Sequence, residues 1–287
     1  MTIESGPRPA VHPRGVDVLT GPAASRFAEH TPQTLFAIDR REDWGVTGLG
    51  MHTGPWMTDA EGVHYPSSVA IMMDSVLCGP LFVRRPGPTM GMATSELSLD
   101  FVPAATWQGP ELSAASELMQ IDASGGLTRG DVRDSSGNIC TTGTLWGRFF
   151  PIASGDSPSE PMDIPGPDPT ATLTDMFCGV PQRTHSGSEL QIAAAPWLNN
   201  PRQVMHGGVL ATLSDYVAVA ALDGGAARWS PLSLRTNYFR PAVEGDKVTV
   251  VAEAVQRGRS LAVMRVRTMG ASGKPFTHSM VSYAVKP

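Results

Sequence analysis

The chain has 287 residues, 41% of them hydrophobic and 17% charged, with a formal net charge of −5. That length holds two domains of ordinary size or one large one. The mild acidity excludes a general nucleic-acid binder, which would be basic, but a phosphate-bearing ligand can still be held by a few arginines.

In chain order, the opening MTIESGPRPAVHPRG has no apolar h-region, so no signal peptide and a cytoplasmic protein are expected. Residues 1–30 read as a tail and residues 31–150 as a first domain. That domain has a Pro-Trp segment (Gly54-Pro55-Trp56-Met57), a polar loop, an apolar helix over 67–78 closed by Gly79-Pro80, and strand-like runs with a turn at 135–137. Residues 151–170 (PIASGDSPSEPMDIPGPDPT) hold six prolines and read as an extended linker. The second domain, 171–287, repeats the order: Ala195-Pro196-Trp197-Leu198, a loop, a helix over 207–222 closed by Gly224-Gly225, then strands over 232–239, 247–256, 261–268 and 276–285, with a turn at 270–273. The helices are apolar nearly all round, which places them centrally under the sheets. They are too short and too often interrupted to span a bilayer, so no membrane association is expected. Cys78, Cys140 and Cys178 show neither zinc spacing nor a disulfide framework, which suits a reducing compartment. The histidines show no metal spacing, so no metal is expected.

The two halves are copies. Pro55-Trp56 and Pro196-Trp197, and likewise Asp74 and Asp215, stand 141 residues apart. Residues 99–104 (LDFVPA) lie against 236–242 (TNYFRPA) at an offset near 138. Gly109, Glu117, Gln120, Ser124, Arg129, Gly137 and Thr141 meet Gly245, Glu253, Gln256, Ser260, Arg265, Gly273 and Thr277 at 136. Identities in one order with a slowly drifting offset indicate duplication.

The chemistry gathers at Asn200-Pro-Arg-Gln-Val-Met-His206-Gly207-Gly208 and at Asp215. His-Gly-Gly opens a helix whose first N–H groups lack partners and carry the positive end of the dipole, suited to a developing oxyanion. An acid among small apolar helical neighbours is costly unless paired or used. Taken alone, Asp74 or Asp215 would read as a capping or backbone-bonding group, His206 as structural, Gly207 and Gly208 as close helix packing, and Arg84 and Arg85 as a solvated helix end.

The combined pattern resembles the hot-dog acyl-CoA thioesterases, specifically the branch typified by the phenylacetate-degradation thioesterases. Asn200, His206, Gly207, Gly208 and Asp215 match that motif, Asn237-Tyr-Phe-Arg-Pro241 resembles its second strand, and Gly258-Arg259 resembles its basic hairpin near the CoA. Gln203 departs from it, where the family often has glycine. The resemblance implies an α+β fold of two hot-dog domains in tandem, each an antiparallel sheet wrapped around a central helix, with one chain supplying both members of the usual dimer. It implies hydrolysis of an acyl-CoA in lipid metabolism, with no cofactor beyond the CoA of the substrate, and further assembly of chains into a homo-oligomer. Arg257, Arg259, Arg84 and Arg85 are the candidates for CoA phosphates.

Geometry restricts the partners. Asp215 lies about 12 Å along its helix from Gly207, at about 1.5 Å rise per residue. It therefore cannot share a carbonyl with its own helix start, and each site must join a helix start from one half to an acid from the other. Tyr65-Pro66-Ser67 stands in the first half where His206-Gly207-Gly208 stands in the second, and Asp59 where Asn200 stands. Proline has no N–H to donate. One working site is expected, with Asp74 as its acid, the Gly207 N–H polarising the thioester, Asn200 positioning water or thioester, and Thr94 or Ser95 touching Asp74. Asp215 belongs to a degenerate site. His64, one position before the His206 counterpart, is an alternative substitute. Competing functions are a non-hydrolytic acyl-CoA or lipid-binding module and an enoyl-CoA hydratase, whose paired Asp and His on another loop are not found.

Overall fold

Two long apolar helices organise the fold, each under its own sheet. The computed structural model describes residues 22–39, 48–102, 107, 109–152 and 166–286. The first half runs α1 (Pro22–Phe27), α2 (Pro32–Leu35), β1 (Ile38–Asp39), β2 (Gly48–His52), α3 (Ala70–Val83), β3 (Met90–Phe101), β4 (Glu111–Asp122), β5 (Gly125–Asp134) and β6 (Ile139–Pro151). The second runs α4 (Leu173–Phe177), β7 (Gln182–Arg183), β8 (Gly187–Ala193), α5 (Gly207–Ala220), α6 (Gly225–Arg228), β9 (Trp229–Tyr238), β10 (Lys247–Arg257), β11 (Leu261–Met269) and β12 (Pro275–Val285). This is the α+β tandem hot-dog. β3–β6 pack on α3 and β8–β12 on α5, because the inward residue of every second strand position is apolar while its neighbours face out.

All strands join one antiparallel sheet in the order β1-β2-β4-β5-β6-β3-β9-β12-β11-β10-β8-β7. The halves meet edge to edge at β3 and β9, from Glu96 opposite Asn237 to Asp100 opposite Ser233. This pairing removes an exposed edge from each half.

The ladders make the duplication exact enough to assign counterparts. Phe101 faces Thr141 as Tyr238 faces Thr277, and Leu97 faces Leu145 as Leu234 faces Val281. Past a bulge in each half, Thr94 faces Gly147 as Pro231 faces Tyr283. Counterparts therefore differ by 137 on β3 and β9 (238 − 101) and by 136 on β6 and β12 (277 − 141). The copies share their core volume differently. Gly147 lies under Leu81 of α3, whose Cδ1 would be 2.6 Å from an added Cβ. In the second half Tyr283 fills its own space, fully buried.

Several boundaries differ from expectation. A 3₁₀ turn at Pro66–Val69 precedes α3, which runs on past residue 78 to Val83 with Pro80 inside it. Pro80 has no N–H for the carbonyl of Val76, and Ser116 Oγ donates to that carbonyl instead at 2.7 Å, so the helix continues where a proline would ordinarily stop it. The turn and helix together, Pro66–Val83, are long and apolar enough to cross a membrane, contrary to the sequence reading, but 67% of the segment is buried inside the protein. Of the expected tail, residues 1–21 lie outside the described residues. The rest carries α1, whose apolar Phe27 is buried with its ring centroid 5.8 Å from that of Trp197 in the second half. Of the linker, 153–165 lie outside the described residues, and Asp168 accepts from Arg26 Nε at 2.6 Å.

The central helices run antiparallel and touch closely. A Cβ at Gly208 would lie 2.4 Å from both the carbonyl oxygen of Ala70 and the Cα of Ile71, and Thr212 Oγ1 donates to the carbonyl of Ser67 at 2.9 Å. Only glycine permits that approach. Gly208→Ala should lower stability by about 1–3 kcal/mol, the usual cost of overpacking, as read from the denaturant midpoint. An unchanged midpoint would mean that the two backbones are not in contact.

Candidate active site

The antiparallel contact brings the start of α5 to the flank of α3. Asp74, 5% exposed, projects from the second turn of α3 toward this start. Its Oδ2 accepts the N–H of Gly208 at 3.1 Å and its Oδ1 accepts the hydroxyl of Thr94, on β3, at 2.7 Å. Both carboxylate oxygens are thus fixed by donors, one from each half. A Cβ at Gly207 would sit 2.8 Å from Oδ2, so glycine is what lets the carboxylate approach. Gly207 is half-buried, and its own N–H, the first of the helix, makes no hydrogen bond among the described residues. A bare helix-start N–H therefore lies beside an oriented carboxylate, the donor and base or nucleophile that acyl transfer requires.

His206 is the N-cap of α5. Its Nδ1 accepts the same Gly208 N–H at 3.1 Å and lies 3.4 Å from Asp74 Oδ2. With Nδ1 accepting, the ring proton sits on Nε2, 3.2 Å from Ser75 Oγ. Burial lowers the His206 pKa against the opposing pull of Asp74, and the ring braces the start of α5. Cys78, one turn along α3, places Sγ 3.5 Å from Thr94 Oγ1 and 4.0 Å from Asp74 Oδ1. Burial first, then Asp74, push its thiol well above the usual range, and it stays protonated.

The pseudo-equivalent interface keeps the acid and changes its surroundings. Asp215 is 1% exposed. Ser67, the counterpart of Gly208, donates its hydroxyl to Oδ2 at 2.6 Å, and Tyr283 donates to Oδ1 at 2.5 Å. Pro231 stands where Thr94 stands, and Tyr283 supplies the missing hydroxyl. Pro66 stands where Gly207 stands, without an N–H. The Ser75–His206 contact becomes a ring contact of Tyr216 with Tyr65, centroids 5.3 Å apart. Burial raises the Asp215 pKa, opposed by the bonds from Ser67 and Tyr283. This interface is a closed hydrogen-bonded core.

The remaining sequence candidates scatter. Asn200 makes no hydrogen bond to Asp74; its Oδ1 accepts the N–H of Arg202 at 2.9 Å, closing a turn just as Asp59 Oδ1 closes its own with Glu61 and Val63. Gln203 takes φ +57, as its counterpart Gly62 takes φ +76. That left-handed turn is why glycine suits the position. His64 corresponds to Met205: Thr58 bridges His64 as Asn199 bridges Met205. It packs edge-on to Trp107 with its pKa lowered to about 4, first by burial and then by Lys286. Ser95 bonds the carbonyl of Trp146, away from Asp74. Arg84 and Arg85 end α3, folded back on the carbonyls of Pro80 and Phe82. Arg257 and Arg259 sit on the exposed β10–β11 hairpin, Arg257 near Asp223. That lies beyond the far end of α5, roughly 20 Å from Gly208 by helical rise. The four arginines therefore do not converge. Ser75 and Tyr238 were not legible as neighbours of this site, because Ser75 meets His206 and Tyr238 meets Gly207 only through tertiary contact.

Residues 202–274, within the second half, match the thioesterase superfamily. No curated protein matches the chain in sequence. Among solved structures, the tesB protein of Mycobacterium avium subsp. paratuberculosis is 11% identical, covers 89% of this chain and 98% of its own, and superposes with a TM-score of 0.61. An acyl-CoA thioesterase II of Mycobacterium marinum is 14% identical over 89% of this chain and 97% of its own, TM-score 0.56. The 12:0-ACP thioesterase of Umbellularia californica is 12% identical over 86% and 98%, TM-score 0.57. At these identities the likeness is one of fold.

The Asp215 interface makes a thermodynamic prediction. A carboxyl whose folded pKa is raised stabilises the fold most below its unfolded value, about 3.9, and loses that contribution as pH rises through the folded value. Asn does not titrate. The melting temperature of Asp215→Asn relative to the unaltered protein should therefore climb between pH 4 and pH 7. A difference that stays level with pH would show that Asp215 is ionised in the fold as readily as in the unfolded chain.

Proposed function

We propose that this protein, whose residues 202–274 match the thioesterase superfamily, hydrolyses an acyl-CoA to the free acid and CoA at one interface between its two hot-dogs. The observation that carries the reading is the meeting of Asp74 with the Gly207–Gly208 start of α5, a bare N–H beside a carboxylate held at both oxygens.

In this mechanism the thioester oxygen sits at the Gly207 N–H. Asp74 takes a proton from water as the water oxygen bonds the thioester carbon, or attacks that carbon itself to give a mixed anhydride that water then opens. The negative charge that develops on the oxygen is met by the Gly207 N–H and the positive end of the α5 dipole. Collapse breaks the carbon–sulfur bond, and the CoA thiolate leaves and takes up a proton. Thr94 and the Gly208 N–H hold the carboxylate toward the substrate. His206, buried beside Asp74, braces the loop as the N-cap of α5. The Asp215 interface lacks the N–H and is filled by side chains, so one site per chain operates. The reaction belongs to lipid metabolism in a reducing cytoplasm, in keeping with three free cysteines, and the double hot-dog chains associate further.

Free-thiol release from a panel of aromatic, short-chain and medium-chain acyl-CoAs tests this. Asp74→Asn should lower turnover by about 10²–10⁴, the usual worth of a positioned acid or base, while Asp215→Asn should keep near-full turnover. Tight acyl-CoA binding without thiol release would favour a binding module. Loss of activity with Asp215→Asn alone would move the site to the other interface.

A further inference from the structure

We propose that Tyr238 is a positioning residue, whose hydroxyl fixes the Gly207–Gly208 peptide so that its N–H is aimed at Asp74. The inference deepens the thioesterase reading and rests on it for the choice of assay.

The Tyr238 hydroxyl donates to the carbonyl oxygen of Gly207 at 2.8 Å. That carbonyl and the N–H of Gly208 belong to one rigid planar unit. The N–H end donates to Asp74 Oδ2 and to His206 Nδ1, each at 3.1 Å. Tyr238 therefore grips one end of the peptide whose other end grips the carboxylate. The grip matters because the unit joins two glycines, which resist rotation least of all residues, and its N–H is one of the helix-start donors that no intrahelical carbonyl holds in line. A donor on the carbonyl also polarises the amide and strengthens the N–H as a donor in turn. The phenol is suited to donate: burial first, then Asp74 and Cys78, push its ionisation well above 10.

The duplicated half supplies an independent observation. Tyr238 faces Thr277 in its ladder and Phe101 faces Thr141 in the other, so Phe101 is the counterpart of Tyr238 with the hydroxyl removed. Phe101 belongs to the half that has Pro66-Ser67 in place of Gly207-Gly208. There the acid is held by side-chain hydroxyls, from Ser67 and Tyr283, and no peptide has to be aimed. The ring is kept in both copies, as packing demands. The hydroxyl accompanies only the peptide that holds an acid through its N–H.

Tyr238→Phe in the full chain keeps the ring and removes the donor. Thiol release from the best acyl-CoA of the panel should fall about tenfold in kcat, the rate expected on losing one neutral hydrogen bond, with KM unchanged. In the ¹⁵N–¹H spectrum the Gly208 amide should move upfield and exchange with solvent faster, while the melting temperature holds. Tyr238→4-aminophenylalanine, which restores a donor in place, should recover most of the kcat and the Gly208 signal. The proposal falls if the phenylalanine variant keeps its kcat, if kcat drops while the Gly208 amide stays put, or if the variant does not fold, which would make the hydroxyl structural. Should the unaltered protein release no thiol from any substrate, the thioesterase reading fails by itself, and the Gly208 amide still decides whether Tyr238 aims that peptide.

Discussion

The site depends on how near one helix backbone can come to another. A helix cannot bring its own first N–H groups and an acid two turns along to the same atom, because the rise per residue keeps them apart. Two antiparallel helices can, provided nothing larger than hydrogen stands between them. Gly208 against Ala70 and Ile71 meets that condition, and Asp74 then falls within hydrogen-bond reach of the Gly208 N–H. The surrounding sheet serves this contact. β3 meets β9 at the seam, holding the two helix layers at one spacing, and the same two strands deliver Thr94 and Tyr238 to the carboxylate and to the peptide.

Duplication gives such a contact twice, and nothing obliges both copies to be kept open. The acid persists on both helices, but its partners diverge in a correlated way. Gly207 becomes Pro66, Gly208 becomes Ser67, His206 becomes Tyr65, Thr94 becomes Pro231 and Gly147 becomes Tyr283. Each change removes a backbone donor or fills a space, and together they satisfy a buried carboxyl with hydroxyls. A buried acid left without partners would be costly. Keeping Asp215 with Ser67 and Tyr283 avoids that cost and ties β12 to the central helix. The second interface acts as a polar staple, whereas the first leaves the Gly207 N–H without a partner among the described residues.

Much of this architecture is written in the chain as repetition. The Pro-Trp pairs, the helical acids and the aligned strand residues show two copies of one α+β unit before any coordinate is known, and helical rise alone demands that acid and helix start come from different copies. His206-Gly207-Gly208 and Pro66 point to which copy keeps its donors. Less visible was the reach of α3, because Gly79-Pro80 reads as a stop, and only Ser116 on a distant strand shows how the carbonyl of Val76 is satisfied. Which end of the fold each candidate arginine occupies was also not legible, because charge on a hairpin says nothing of which helix end the hairpin overlies.

What the sequence determined by itself was local or periodic: the duplicated order of elements, the apolar helices, the glycine pair and the proline facing it. Tertiary structure alone decided which side chains share an atom. Ser67 reaching Asp215, Tyr238 reaching the Gly207 carbonyl and His206 reaching Ser75 depend on register, bulges and helix crossing. These are set by the packing of segments up to a hundred and more residues apart, and no spacing along the chain encodes them.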